Sequence, residues 1–103
     1  MQNIIDKLKD NLQVIYRRGL DADKSLSSLQ QQGKGKYQHV FADDAVFNVK
    51  SKRFQPYIEE LAKDIVQIEN ADEATVKERL PLVIKKMELL FTTLAQLQDS
   101  LKS

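Results

Sequence analysis

The sequence predicts an all-α protein, an antiparallel three- to four-helix bundle, and three observations predict it. Apolar residues recur four and three positions apart through three long stretches; only three Gly and two Pro interrupt 103 residues; the β-branched alternation of strands is nearly absent. Amphipathic stretches joined by brief connections pack best as antiparallel neighbours. Their stripes are wider than two positions in seven, which argues against a long parallel coiled coil. At 11.9 kDa the chain suits one domain, 1–103, and no internal repeat suggests a second.

The first stretch places Met1, Ile5, Leu8, Leu12 and Ile15 on one stripe, widened by Ile4 and Tyr16. Asn3 suits its start, and Gly19 after Arg17 and Arg18 suits its end, so a helix is expected over 3–18. Residues 20–40 read as a mobile connection or a short helix: 21–28 carry Leu26 with Leu29 just beyond, whereas Gln30-Gln31-Gln32-Gly33-Lys34-Gly35-Lys36 has nothing to bury. Asp43 or Asp44 can cap a helix beginning near Ala45.

The next stripe runs Phe54, Ile58, Leu61, Ile65 and Ile68, with Phe47 one heptad before Phe54. Pro56 lies inside it, so either a helix starts at 52–55 or a longer one from Ala45 kinks there; the phase of Phe47 favours the kinked helix. Asn70 with Glu73 forms a capping-box pattern, and Asp72 competes as the cap. The last stripe is Val76, Leu80, Val83, Met87, Leu90, Leu94, Leu97 and Leu101, widened by Ile84 and Phe91. Pro81 lies off it and marks a kink or a helix start after a preliminary turn.

Composition excludes several functions. Without Cys there is no disulfide scaffold, thiolate zinc site or thiol chemistry, and His39 alone builds no histidine-rich metal site. Neither a cofactor nor a metal is expected. Asp43-Asp44 read as a cap and Glu59-Glu60 as a solvated face, since adjacent acids on a helix point about 100° apart. His39 with Asp43 has no nucleophile or third member, so no catalysis is expected. Gly33-Lys34-Gly35-Lys36 lacks the spacing and preceding strand of a phosphate loop. No apolar run is long enough to span a membrane, and the start lacks the basic and apolar regions of a signal peptide, so the expected compartment is the cytoplasm.

Binding is better supported. The formal charge of +1 conceals a basic middle: 33–55 hold five bases and two acids, whereas 56–80 hold three bases and seven acids. Lys34, Lys36, Lys50, Lys52 and Arg53 surround Tyr37, Phe41 and Phe47. Bases interleaved with aromatics suit single-stranded nucleic acid, or an acidic peptide with an apolar end. Phe47 and Phe54 are in stripe phase and equally suit the core. Arg17-Arg18 and Lys85-Lys86 read as structural charges at helix ends and on exposed faces, Met87 and Phe91 as core, and Tyr57 as a buried ring whose hydroxyl reaches water.

Phe41-Ala42-Asp43-Asp44-Ala45-Val46-Phe47 is similar to the Phe-Asp-x-x-Leu-Phe stretch of the PriC primosomal replication family, with one extra residue and Asp44-Ala45 where a basic pair is expected. Phe54-Gln55-Pro56-Tyr57-Ile58-Glu59-Glu60 with Ile65 and Ile68 resembles that family's next helix. Leu80-Pro81 followed by Val83, Glu88, Leu90 and Leu94 resembles the last helix of its amino-terminal domain. The likeness covers 41–97, and the opening Leu8-x-x-x-Leu12 helix is compatible with it.

The resemblance implies a non-enzymatic bacterial replication-restart factor that helps reload the replicative helicase at stalled forks. Its implied partners are the helicase, the single-strand-binding protein and, weakly, single-stranded DNA. The chain stops where the family continues into a basic region, so it is expected to be the amino-terminal domain or a short variant, better at binding protein than DNA. The expected contact surface is Tyr37, Phe41, Phe47, Lys50, Lys52 and Arg53, with Phe41 as the apolar anchor. The rival expectation is a small helical chaperone or adaptor, or a homodimeric regulator, that binds an amphipathic partner helix.

Overall fold

A computed structural model describes residues 2–31 and 46–102. Three helices follow in order, α1 (Gln2–Gln31), α2 (Gln55–Glu69) and α3 (Glu73–Lys102), with no strand among the described residues. Together they form a helical bundle. Its core takes Leu8, Ile15, Ala22 and Leu26 from α1, Ile58, Leu61, Ile65 and Ile68 from α2, and Val76, Val83, Met87, Leu90 and Leu94 from α3. Burying each large side chain contributes roughly 1.5–3 kcal/mol, so the three stripes together outweigh any single polar contact.

α1 does not end at Gly19. It continues unbroken to Gln31, so 21–28 are helical and no connection starts at residue 20. A Cβ at Gly19 would overlap the Ile58 Cδ1, so this glycine serves the close approach of two helices and not a helix end. Arg17 and Arg18 are consequently mid-helix. The Arg18 Nη2 donates to the Gln98 Oε1 at 3.3 Å, and its guanidinium lies 5.8 Å from the Phe91 ring centre, tying α1 to α3. Ile4 and Tyr16 are exposed and do not widen the buried stripe.

The favoured kinked helix from Ala45 is not what forms. α2 starts at Gln55, with Pro56 in its first turn, where a missing N–H costs nothing. The adjacent amides are held from α1: the Asp23 carboxylate accepts the Phe54 N–H at 2.7 Å and the Gln55 N–H at 3.1 Å. Phe47 reaches the core from the irregular stretch 46–54 and not as the first heptad of a helix. Its phase with Phe54 was therefore misleading.

Between α2 and α3 the competing cap wins. Asp72 Oδ1 accepts the Thr75 N–H at 2.8 Å, while the Asn70 side chain turns back to the Val66 carbonyl at 3.0 Å. Hydrogen bonding to Thr75 holds the Asp72 carboxyl below its ordinary range. α3 runs through Pro81, which is exposed, so no helix starts there. Ile84 is exposed, whereas Phe91 packs half-buried against the core. The expected caps Asp43 and Asp44, and His39, lie outside the described residues.

Candidate functional site

The basic segment enters the structure as an irregular strap, 46–54, laid across α2 and fastened by side chains. The Glu60 carboxylate accepts the Asn48 N–H at 2.9 Å and the Val49 N–H at 3.0 Å. The Tyr57 hydroxyl accepts the Ser51 N–H at 2.8 Å and donates to the Ser51 carbonyl at 3.1 Å. Ser51 Oγ then accepts the Arg53 N–H at 3.0 Å, and Asp23 takes the next two amides. A segment without regular structure thus finds acceptors for much of its backbone on side chains.

Beneath the strap lies a charge cluster. Lys86 on α3 is 2% exposed, and its Nζ sits 2.5 Å from Asp64 Oδ2 and 3.0 Å from Glu60 Oε2. Burial pushes the Lys86 ammonium down, but its hydrogen bonds and attraction to Asp64 and Glu60 outweigh this and hold it above the ordinary lysine range. Phe47 roofs the cluster: its ring centre is 5.8 Å from the Lys86 Nζ and 5.1 Å from the Tyr57 ring, met edge-on at 76°.

These contacts correct three readings. Glu60 is no solvated acid; only Glu59 of that pair is exposed. Lys86 is no exposed base; it sits three residues after Val83 and four before Leu90, on the buried stripe, and that phase was its legible signal. The Tyr57 ring is buried as expected, yet its hydroxyl grips Ser51 instead of reaching water.

Of the six expected contact residues, Lys50 and Lys52 are exposed and Arg53 is half-buried. Phe47 is 8% exposed and belongs to the core, so it offers no stacking face; its packing on Tyr57 claimed it. Tyr37 and Phe41 lie outside the described residues. Next to the strap an open apolar groove of about 310 Å³ runs between α1 and α2, lined among others by Leu12, Tyr16, Arg17, Gln55, Ile58 and Ala62. Gln55, which directly follows the strap, is the groove's first α2 residue and Glu59 lines it too, whereas Tyr57 and Glu60, which fasten the strap, face the other flank of α2. Composition gave no hint of this groove, because it needs two helices side by side.

Among the described residues no group of acids or histidines is arranged to hold a metal ion, and no helix is long and apolar enough to cross a membrane. The family model described as primosomal replication protein PriC matches residues 2–102, essentially the whole chain. The chain belongs to the PriC family. No curated protein and no solved structure matches it. PriC membership gives the chain a role in primosomal replication restart, as an accessory protein of the primosome and not a known enzyme. The match also takes in α1, beyond the 41–97 that carried the resemblance in the sequence.

Proposed function

We propose that this PriC-family chain is a non-enzymatic interaction module that helps reload the replicative helicase at stalled forks. Its protein partners are the helicase and the single-strand-binding protein, and it touches single-stranded DNA weakly. One observation carries the reading: Lys50, Lys52 and Arg53 sit on a fastened strap that ends at Gln55, the head of an apolar groove lined by Arg17 on its α1 side. Such a surface complements an acidic tail with an apolar end, whose carboxylates meet the bases while its last side chain enters the groove. The same bases meet phosphates through charge alone, which suits weak and salt-sensitive DNA contact. Tyr37 and Phe41 complete the surface in this reading, with Phe41 as the anchor.

The test is capture of purified replicative helicase and purified single-strand-binding protein by the full chain. The Phe41→Ala, Arg53→Glu double variant is expected to lose about tenfold or more in affinity, the scale of one anchor residue. Unchanged affinity for both partners overturns the assignment of this surface.

A further inference from the structure

We infer that Tyr57 and Ser51 are positioning residues for nucleic-acid contact, holding Lys50, Lys52 and Arg53 in a fixed register against a phosphate backbone. The inference rests on the reading that this strap touches single-stranded DNA. The Tyr57 hydroxyl engages both the N–H and the carbonyl of Ser51, the residue between Lys50 and Lys52. Ser51 passes the constraint on, its Oγ accepting the Arg53 N–H at 3.0 Å. One buried phenol therefore governs the backbone at all three basic positions.

The anchor is itself rigid. Tyr57 is 1% exposed on the first turns of α2, and Phe47 stacks edge-on against its ring. Phe47 thus serves the site through Tyr57 and not by stacking on a base. The strap's other end is fixed by Glu60 at Asn48 and Val49, and its exit by Asp23 at Phe54 and Gln55.

Electrostatics fits the same role. The acids under the strap are turned inward: Glu60 to two amides and Lys86, Asp64 to Lys86, Asp23 to two amides. Lys86 brings the balancing cation from α3, so the outward field of the exposed Lys50 and Lys52 is less opposed by the carboxylates behind them. With the backbone ordered at folding, less entropy is lost on binding.

The experiment measures binding of an oligo(dT) probe by fluorescence anisotropy across salt concentrations, with amide exchange of the free protein. Three variants of the full chain are compared at a temperature where each is folded: Tyr57→Phe, Ser51→Ala, and the Lys50→Glu, Lys52→Glu pair. Tyr57→Phe keeps the ring and loses the hydroxyl. It is expected to bind about three- to tenfold more weakly, the scale of one or two hydrogen bonds. Its slope of log affinity against log salt should shrink by about one, the signature of a lost phosphate contact.

Exchange at the Ser51 amide should accelerate. Ser51→Ala, which removes only the link to Arg53 and does not disturb the core, should show a smaller loss in the same direction. A purely structural tyrosine would lower the unfolding midpoint and leave affinity and salt slope unchanged. If the Lys pair weakens binding while Tyr57→Phe and Ser51→Ala do not, the positioning role is overturned and the contact reading stands. If the Lys pair changes nothing, the contact reading falls and the positioning role falls with it. Should Tyr57→Phe fail to fold, Ser51→Ala decides alone.

Discussion

α1 and α2 meet at close range through apolar atoms, with a partly exposed Lys9–Glu69 ion pair beside them, while α2 and α3 meet through a buried charge. At the first contact Gly19 lets the Ile58 side chain approach the α1 backbone, with Phe54 beside it. At the second, one lysine is held between two carboxylates, and one of these carboxylates fastens the strap. Dispersion and water exclusion are non-directional, so the first contact specifies distance more than identity. The second specifies atoms, because a buried charge without its counter-charge is costly. That directionality lets the α2–α3 contact hold the strap at Asn48 and Val49, as Asp23 of α1 holds its exit, whereas the apolar α1–α2 contact sets the spacing of the groove's banks.

The largest expected effect breaks the charged contact. Lys86→Met keeps most of the side-chain volume but leaves Glu60 and Asp64 facing each other. A loss of about 3 kcal/mol in urea unfolding is expected, the low end for breaking a buried pair, because Asp64 keeps a quarter of its surface. A loss under about 1 kcal/mol would place the cluster with ordinary surface ion pairs. The sign with pH follows from the raised Lys86 value. Its contribution is complete below the unfolded lysine value of about 10.4 and falls as pH rises through the higher folded one. Lys86→Met should lack that alkaline decline.

A smaller effect probes the apolar contact. Gly19→Ala gains roughly 1 kcal/mol of helix propensity but forces the buried Ile58 Cδ1 to move, at a cost of about 1–3 kcal/mol. A net loss near 1 kcal/mol is expected. Ile58→Val removes that methyl, so the double variant should be more stable than the sum of the two single changes. Strict additivity in thermal unfolding would show that the two residues do not meet in solution.

The smallest effect lies at the turn that brings α2 and α3 together. Asp72 is held below its ordinary range by Thr75, so its stabilising effect is present above about pH 3.9 and lost as pH falls through the depressed value. Asp72→Ala should weaken the start of α3 at neutral pH and flatten this acid limb. An unchanged acid limb in circular dichroism would remove Asp72 from the cap.

Much of the fold was legible because helix periodicity is a local property. Ile58, Leu61, Ile65 and Ile68, and Val83, Met87, Leu90 and Leu94, are buried as their spacing predicts. The errors came where a residue has two local uses. Gly19 serves a helix end or a close approach, Phe47 a heptad or a roof, and Asn70 a capping box or the end of the preceding helix. Tertiary neighbours choose between such uses: Ile58 for Gly19, Tyr57 for Phe47, and for Asn70 the Val66 carbonyl behind it. The exposed Lys50 and Lys52 were legible from charge and aromatic content, but the residues that hold them were not, because Asp23 is about thirty positions away from the amides it caps.

The sequence by itself determined an all-helical chain, its three apolar stripes, the basic middle beside an acidic stretch, and a likeness to PriC that the match over 2–102 bears out. These are properties of spacing and composition, carried within one or two helical turns. Only the tertiary structure decided that Glu60 is interior, that Lys86 is held between two carboxylates, that Phe47 is core, and that 46–54 is a fastened strap and not a helix. Whether a charge is solvated or buried depends on what the rest of the chain brings against it, and neither stripe nor charge count encodes that neighbour.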